Sequence, residues 1–411
     1  MPVDGHRSDR DAGPGVSAVL DEFPAFLKRA LPAWKAEHGA DYASNDDRSR
    51  FEARRAWQRA LDAEGWAAIG WPVEFGGRGA SLEDRVAYDV LLAEHGAPMI
   101  AGVLGVRNVG PAVIAYGTDD QKAHLPSIRR GDEIWVQGFS EPGAGSDLAS
   151  LQCRACAHGD GFIVDGQKTW TSSAMFADYC QLLVRTDGSG KGHKGISCLL
   201  VPMETPGITV RPIRQLTGES EFGEVFFDGA SVPRGALLGP VGHGWAVAIT
   251  TLAHERAGTL ALQANLRQYV DDALLRARLS SQAGAPVDAV LRRRLIGLYE
   301  RVTVMRGLGQ RGVDAAGGGV PGPEGSIIKL IWSQAHRDMG EVRLAELAGE
   351  GPAWSPDRED SGDRDVRYMF LRSRSATIAA GTSEVLRNIV AERVLGLPPE
   401  PRPAAAPATR S

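Results

Sequence analysis

The stretch TTLAHERAGTL, residues 250–260, sets a carboxylate among small and apolar neighbours. Helical spacing around Glu255 places Ala248, Thr251, Leu252, Gly258, Thr259 and Leu262 on the same side, with no basic residue among them. A carboxylate on such a face is paired, neutral, or there for chemistry, because an uncompensated buried charge is costly and its proton affinity rises. Taken alone, Glu255 reads either as a solvated helix edge or as a general base, and both stay open.

Three further stretches carry residue types suited to holding a ligand. VQGFSEPGAGSDLAS, 136–150, has three glycines in eight residues, so the backbone can approach a flat or phosphate-bearing group, with hydroxyls from Ser140 and Ser146. A tight structural turn explains it equally well, and it lacks the G-x-G-x-x-G spacing of a Rossmann site. GQKTWTSSAMFADY, 166–179, puts Trp170, Thr171, Ser172 and Ser173 at a strand end, able to stack on an aromatic ligand and hydrogen-bond its edge; a core tryptophan is the alternative. In ATIAAGTSEVLRNIVAERVLGLP, 376–398, the apolar stripe Val385, Leu386, Ile389, Val390 and Val394 marks a helix with Thr382 at its N-cap. Free amides there suit phosphate, and ordinary capping would look the same. The four cysteines include a C-x-x-C pair, Cys153 and Cys156, read as coincidence because no second pair or nearby histidine completes a metal site.

The elements that position these residues change in period along the chain. Residues 16–130 are mostly helical, as in SRFEARRAWQRALDAEGWAA. From about 135 to 240, GFIVDGQKTW, YCQLLVRTD, KGISCLLVPM, GITVRPI and GEVFFDGASVP read as short strands, implying an antiparallel sheet or barrel. Helical patterning returns from 243 to 397. PPEPRPAAAPATRS and GEGPAWSPDREDSGDRD are polar and proline-bearing, expected to lack fixed structure. At 411 residues, 43% hydrophobic, 24% charged and a net charge of −5, the chain is an ordinary globular protein without the basic excess of a nucleic-acid or membrane-surface binder. The absence of a bilayer-length apolar run and of a signal h-region leads us to expect a cytoplasmic protein with no membrane partner.

The ordered set FSEPGAGSDLAS, DGFIVDGQKTWTSSA, GHGWAVAITTLAHER and AGTSEVLRNIVAERVLG, with the GWPVEFGG loop and GPAVIAYGTDDQK before it, resembles the acyl-CoA dehydrogenase family over residues 16–397. The resemblance implies a mainly α fold with a central β domain. An N-terminal helical domain would span 16–134, an antiparallel β-barrel-like middle domain 135–241 and a C-terminal four-helix bundle 242–397, with disordered ends 1–15 and 398–411. It implies FAD as cofactor. Gln137, Phe139, Ser140, Trp170, Thr171 and Ser172 would line the flavin, Ser146 would lie at the cofactor and CoA, Thr382 and Glu384 at the FAD pyrophosphate, and Gly381 near the thioester. No metal is implied.

The implied reaction is α,β-dehydrogenation of an acyl-CoA, or a carrier-protein thioester, with electrons passed to an electron-transfer flavoprotein. Many members place the base just before the Gly-Thr of the last motif, where this chain has Ala380. Others carry it in a Glu-Arg pair on the first bundle helix, which Glu255-Arg256 matches, so Glu255 becomes the expected base and Arg256 an ordering or CoA-binding residue. The family's Arg-x-x-Phe-Gly segment is missing from RARLSSQAGAPVDAV, and LAGEGPAWSPDRED replaces its Gly-Gly loop. These contacts cross a dimer, so the chain is expected to be a homo-oligomer, dimer or tetramer, or one subunit of an α2β2 heterotetramer of the kind acting on sterol side chains. The alternatives are a flavin oxidase or monooxygenase of the same fold and a non-catalytic partner subunit.

Overall fold

The computed structural model describes residues 18–187, 192–285, 287–316, 323–346 and 366–399. The expected disordered residues 1–15, the tail from 400 and the insert 349–365 lie outside them. The chain forms two compact units, Met1–Asn265 with Ser355–Asp363, and Leu266–Trp354 with Arg364–Ser411.

The first unit opens with α1 (Phe23–Ala43) and α2 (Asp47–Ala63), the latter capped by the Asp46 carboxylate accepting from the Ser49 amide at 2.7 Å. Next comes α3 (Leu82–Glu94), begun by a reciprocal Ser81–Asp84 capping box. A π-helical turn, Gly105–Val109, runs into α4 (Gly110–Tyr116), followed by the short α5 (Asp119–Lys122) and α6 (Leu125–Arg130). Their shared core is aromatic: Phe23 lies 4.8 Å from Trp66 and 4.5 Å from Tyr88 between ring centroids.

The sheet comprises β1 (Trp135–Gly138), β2 (Arg154–His158), β3 (Gly161–Ser172), β4 (Tyr179–Arg185), β5 (Ile196–Pro202), β6 (Ile208–Ile213) and β7 (Phe222–Pro233). Its order is β1-β4-β2-β3-β7-β6, with β5 pairing β4. The expected antiparallel sheet is modified at the β1-β4-β2 end of this order, where β1 and β2 run parallel to β4. Strands β4 and β5 are buried on both faces, which is why LLV (182–184) and CLLV (198–201) read as unbroken apolar runs, whereas β3 and β7 alternate. Helix α7 (Gly244–Gly258) closes this unit.

The second unit holds the main part of α8 (Leu262–Gln282), then α9 (Ala289–Ala316), α10 (Glu324–Glu346), α11 (Val366–Ser373) and α12 (Ser383–Ile389). Leu295, Leu298, Val302 and Met305 of α9, and Ala335, Met339 and Val342 of α10, recur at three- and four-residue spacing and are fully buried, as packed helices require.

Candidate active site

Helix α7 is seated by contacts that leave little freedom for Glu255. A Cβ on Gly244 would stand 2.3 Å from the Ser197 carbonyl carbon, so only glycine lets the helix start this close to β5. One turn before Glu255, Thr251 is fully buried and accepts from Gln181 Nε2 of β4 at 3.0 Å. The neighbouring Thr250 hydroxyl shares a 3.0 Å bond with Tyr116 OH of α4. The helical face anticipated around Glu255 ends early: a 3-10 turn, Thr259–Ala261, follows Gly258, so Thr259 and Leu262 do not continue the α7 stripe.

Glu255 lines a cavity of about 450 Å³ within the first unit. Ile69, Trp71, Leu92, Met99, Ile100 and Val103 supply apolar wall, and Arg85, Asp89, Arg107, Asn108 and His254 supply polar groups. Arg107 grips Asp89 with both terminal nitrogens, at 2.9 and 2.5 Å. Burial, reinforced by the Arg85 charge, pushes the His254 imidazole below its ordinary range, which keeps it neutral. Arg256 follows on the helix, with its side chain outside the described set. A second depression of about 480 Å³ lies beside residues 141–143, but its one carboxylate, Glu141, is already committed to protein partners.

Those partners fix the glycine-rich loop. Lys168, fully buried, donates to Glu141 Oε1 at 2.7 Å and to the Phe139 carbonyl at 3.1 Å. Glu141 also accepts from the amides of Gln152 at 2.6 Å and Cys153 at 2.9 Å. The Thr169 amide donates to the Ser140 carbonyl at 2.9 Å, tying the loop to β3. Gln137 accepts from Asn108 Nδ2 at 3.0 Å, which joins β1 to the wall of the Glu255 cavity. Ser146 lies exposed at the turn.

Pairing between β3 and β7 slips between Lys168 and Thr171. Trp170 sits inside this bulge at φ 57° and is 59% exposed, its edge against Phe222 with centroids 5.8 Å apart. Ser172 is half-buried beside it, and Ser173 has φ 58°. Thr171 turns the other way: its hydroxyl is buried with no partner among the described residues, so it does not join the exposed group. Burial pushes the Cys153 thiol up to about 11 and Cys180 up to about 12, and Cys156 is exposed on β2.

In the second unit, Ala380 at φ 52° and Gly381 at φ 95° turn the chain into α12, which Thr382 caps by accepting from the Val385 amide at 3.3 Å. The Ser383 hydroxyl is buried with no partner among the described residues. Glu384 is exposed and ion-pairs with Arg387 at 3.6 Å. Buried Lys329 of α10 donates to the carbonyls of Ala376 at 2.8 Å and Gly381 at 3.1 Å. Lys168, Glu141 and Lys329 were not legible as site residues, because partners 27 and 52 residues apart leave no spacing to read.

Three family descriptions match in succession: acyl-CoA dehydrogenase N-terminal domain over residues 21–132, middle domain over 137–230 and C-terminal domain over 242–395. The chain belongs to the acyl-CoA dehydrogenase family. It is 40% identical over 361 residues to acyl-CoA dehydrogenase IpdE1 of Mycolicibacterium smegmatis, covering 85% of this chain and 90% of that one. The Mycobacterium tuberculosis protein of the same name is 40% identical over 352 residues, covering 85% and 89%. Among solved structures, the Tcur3481-Tcur3483 steroid ACAD is similar with a TM-score of 0.80 at 30% identity, covering 93% of this chain and 99% of that one. The ChsE4-ChsE5 complex from Mycobacterium tuberculosis is similar at 0.78 and 29%, with the same coverage. The dehydrogenase is thus an FAD-dependent oxidoreductase, with the family's fold of helical, β and helical domains. No helix among its described residues is long and apolar enough to cross a membrane, and no group of three or more His, Cys, Asp or Glu there could hold a metal.

Proposed function

We propose that Glu255 is the base that removes the α-proton of an acyl thioester, giving the trans-2-enoyl product, and that the electrons leave through an electron-transfer flavoprotein. The observation that carries this reading is the place of Glu255 on the wall of an apolar cavity, on a helix locked to β4 through Thr251 and Gln181. An apolar wall keeps water from the carboxylate and raises its usefulness as a base at neutral pH. Ala380 has no group to take a proton, so the turn before α12 offers no competing base at that position.

FAD, when bound, supplies the acceptor for the β-hydrogen and its two electrons. Gln137, Phe139, Ser140, Trp170, Thr171 and Ser172 would hold its ring, Thr171 through its backbone. The exposed indole of Trp170 on a left-handed bulge supports this, being a flat surface aimed out of the sheet at a local conformational cost. Thr382 and Glu384 would hold the pyrophosphate region, a placing supported by the orphaned Ser383 hydroxyl between them. Ser146, Arg256 and Gly381 would meet the CoA thioester. The domain limits 16–134, 135–241 and 242–397 are part of this reading.

The dehydrogenase is also proposed to work as an oligomer, homomeric or α2β2. Leu275, Leu279, Ile296 and Val304 of the second unit are each about half exposed, apolar side chains that a subunit contact would cover, and two similar structures are named as pairs of proteins. Light scattering tests it: a 43.8 kDa particle that retains FAD and turns over would end the proposal. For the base, anaerobic bleaching of the flavin by acyl-CoA is the measurement. Glu255→Gln should slow it by ~10²–10⁴-fold with substrate binding retained. Bleaching at the wild-type rate would place the base elsewhere.

A further inference from the structure

The Glu255 cavity contains a charged group that proton abstraction does not use. Arg85 projects from α3 into it, and its guanidinium makes no hydrogen bond or salt bridge with any described residue. The carboxylate that acts on it, Asp89, is already held by both terminal nitrogens of Arg107. The same wall carries two guanidiniums, Arg85 and Arg107, and two carboxylates, Asp89 and Glu255, with His254 kept neutral beside them. Desolvation is the strongest influence on Arg85 and lowers its proton affinity, yet a guanidinium stays charged at neutral pH.

A hydrocarbon acyl chain filling this cavity would expel water from the Arg85 guanidinium and offer its N–H groups nothing, a desolvation penalty set directly against binding. We infer that the acyl group of the substrate carries a hydrogen-bond-accepting oxygen remote from the thioester, received by Arg85. A carboxylate meets the planar fork with two parallel bonds, whereas a ketone accepts from it without adding negative charge to a wall that already holds Asp89 and Glu255. A cavity of about 450 Å³ is within the range that encloses compact ring-bearing groups as well as chains. The inference rests on the reading of Glu255 as the base, which sets the thioester end of the acyl group.

Three probes of equal chain length separate the possibilities: an ω-carboxyacyl-CoA, an ω-oxoacyl-CoA and the unsubstituted acyl-CoA. Each is titrated by calorimetry into the FAD-loaded full chain, with any subunit that copurifies, and flavin bleaching is followed in parallel. The wild type should favour the oxygenated probes by about 10–100-fold, since unpaired polar groups in a site penalise the analogue lacking the partner atom. Arg85→Met should bring that ratio to within about threefold of unity, and Arg85→Lys, which keeps charge and fold but loses the fork, should fall between. Wild-type preference for the unsubstituted probe, or an unchanged ratio in Arg85→Met, would overturn the inference. Failure of all three to bleach the flavin would overturn the dehydrogenase reading instead, because calorimetry still ranks the probes.

Discussion

Two buried lysines, one in each unit, do comparable jobs by different means. Lys168 in the β domain holds the glycine-rich loop through Phe139 and the Glu141 carboxylate, and that carboxylate gathers two more backbone amides. Lys329 in the helical unit holds the turn before α12 through the carbonyls of Ala376 and Gly381. In both cases a residue outside the proposed ligand-facing set fixes the backbone of a segment in that set. The difference lies in what removal leaves behind. Without Lys168 a buried carboxylate loses its cation, whereas without Lys329 the carbonyls of Ala376 and Gly381 lose a donor, and that of Gly381 sits on a half-exposed residue.

That contrast orders the expected effects. Lys168→Met should cost about 3–5 kcal/mol of stability, the range for breaking a buried pair from one side, and should release FAD. Pairing it with Glu141→Leu should recover much of the loss, measured as the denaturant midpoint. Equal destabilisation by the single and double variants would mean that Glu141 serves the two amides alone. Lys329→Met should cost less, about 1–3 kcal/mol, the penalty of unsatisfied carbonyls. If it costs as much as Lys168→Met, the two anchors are not different in kind. The smallest effect is expected at Ala380, whose φ of 52° strains any side chain. Ala380→Gly should stabilise the chain by about 0.5–1 kcal/mol, and no gain in midpoint would show that the turn is held without strain.

The β strands were readable because their residues alternate or run apolar according to burial, and all five quoted strand segments became β3 to β7. The parallel pairing of β1 and β2 with β4 was not, since strand direction is a property of connections rather than of any residue. Trp170 was noticed as a possible stacking residue at a strand end. Its exposure comes from a slip in register against β7, which depends on the partner strand and has no local signature. The extent of the Glu255 face was overdrawn because a period of 3.6 was carried past Gly258, where the chain tightens into a 3-10 turn.

The sequence alone carried the order of helical, β and helical domains and, through its resemblance, the family and the cofactor, and it singled out Glu255 as the proposed base where Ala380 has none. The domain order follows from periods set by bonds between near neighbours along the chain, and the rest from the resemblance of the ordered motifs to one family. Tertiary structure alone decided that Glu255 shares a cavity with Arg85, Asp89 and Arg107, and that Lys168 and Glu141 meet inside the sheet. Charges well separated along the chain interact only after apolar burial has brought their elements together and removed the water between them. The composition of such a cavity is therefore fixed by packing, not by spacing.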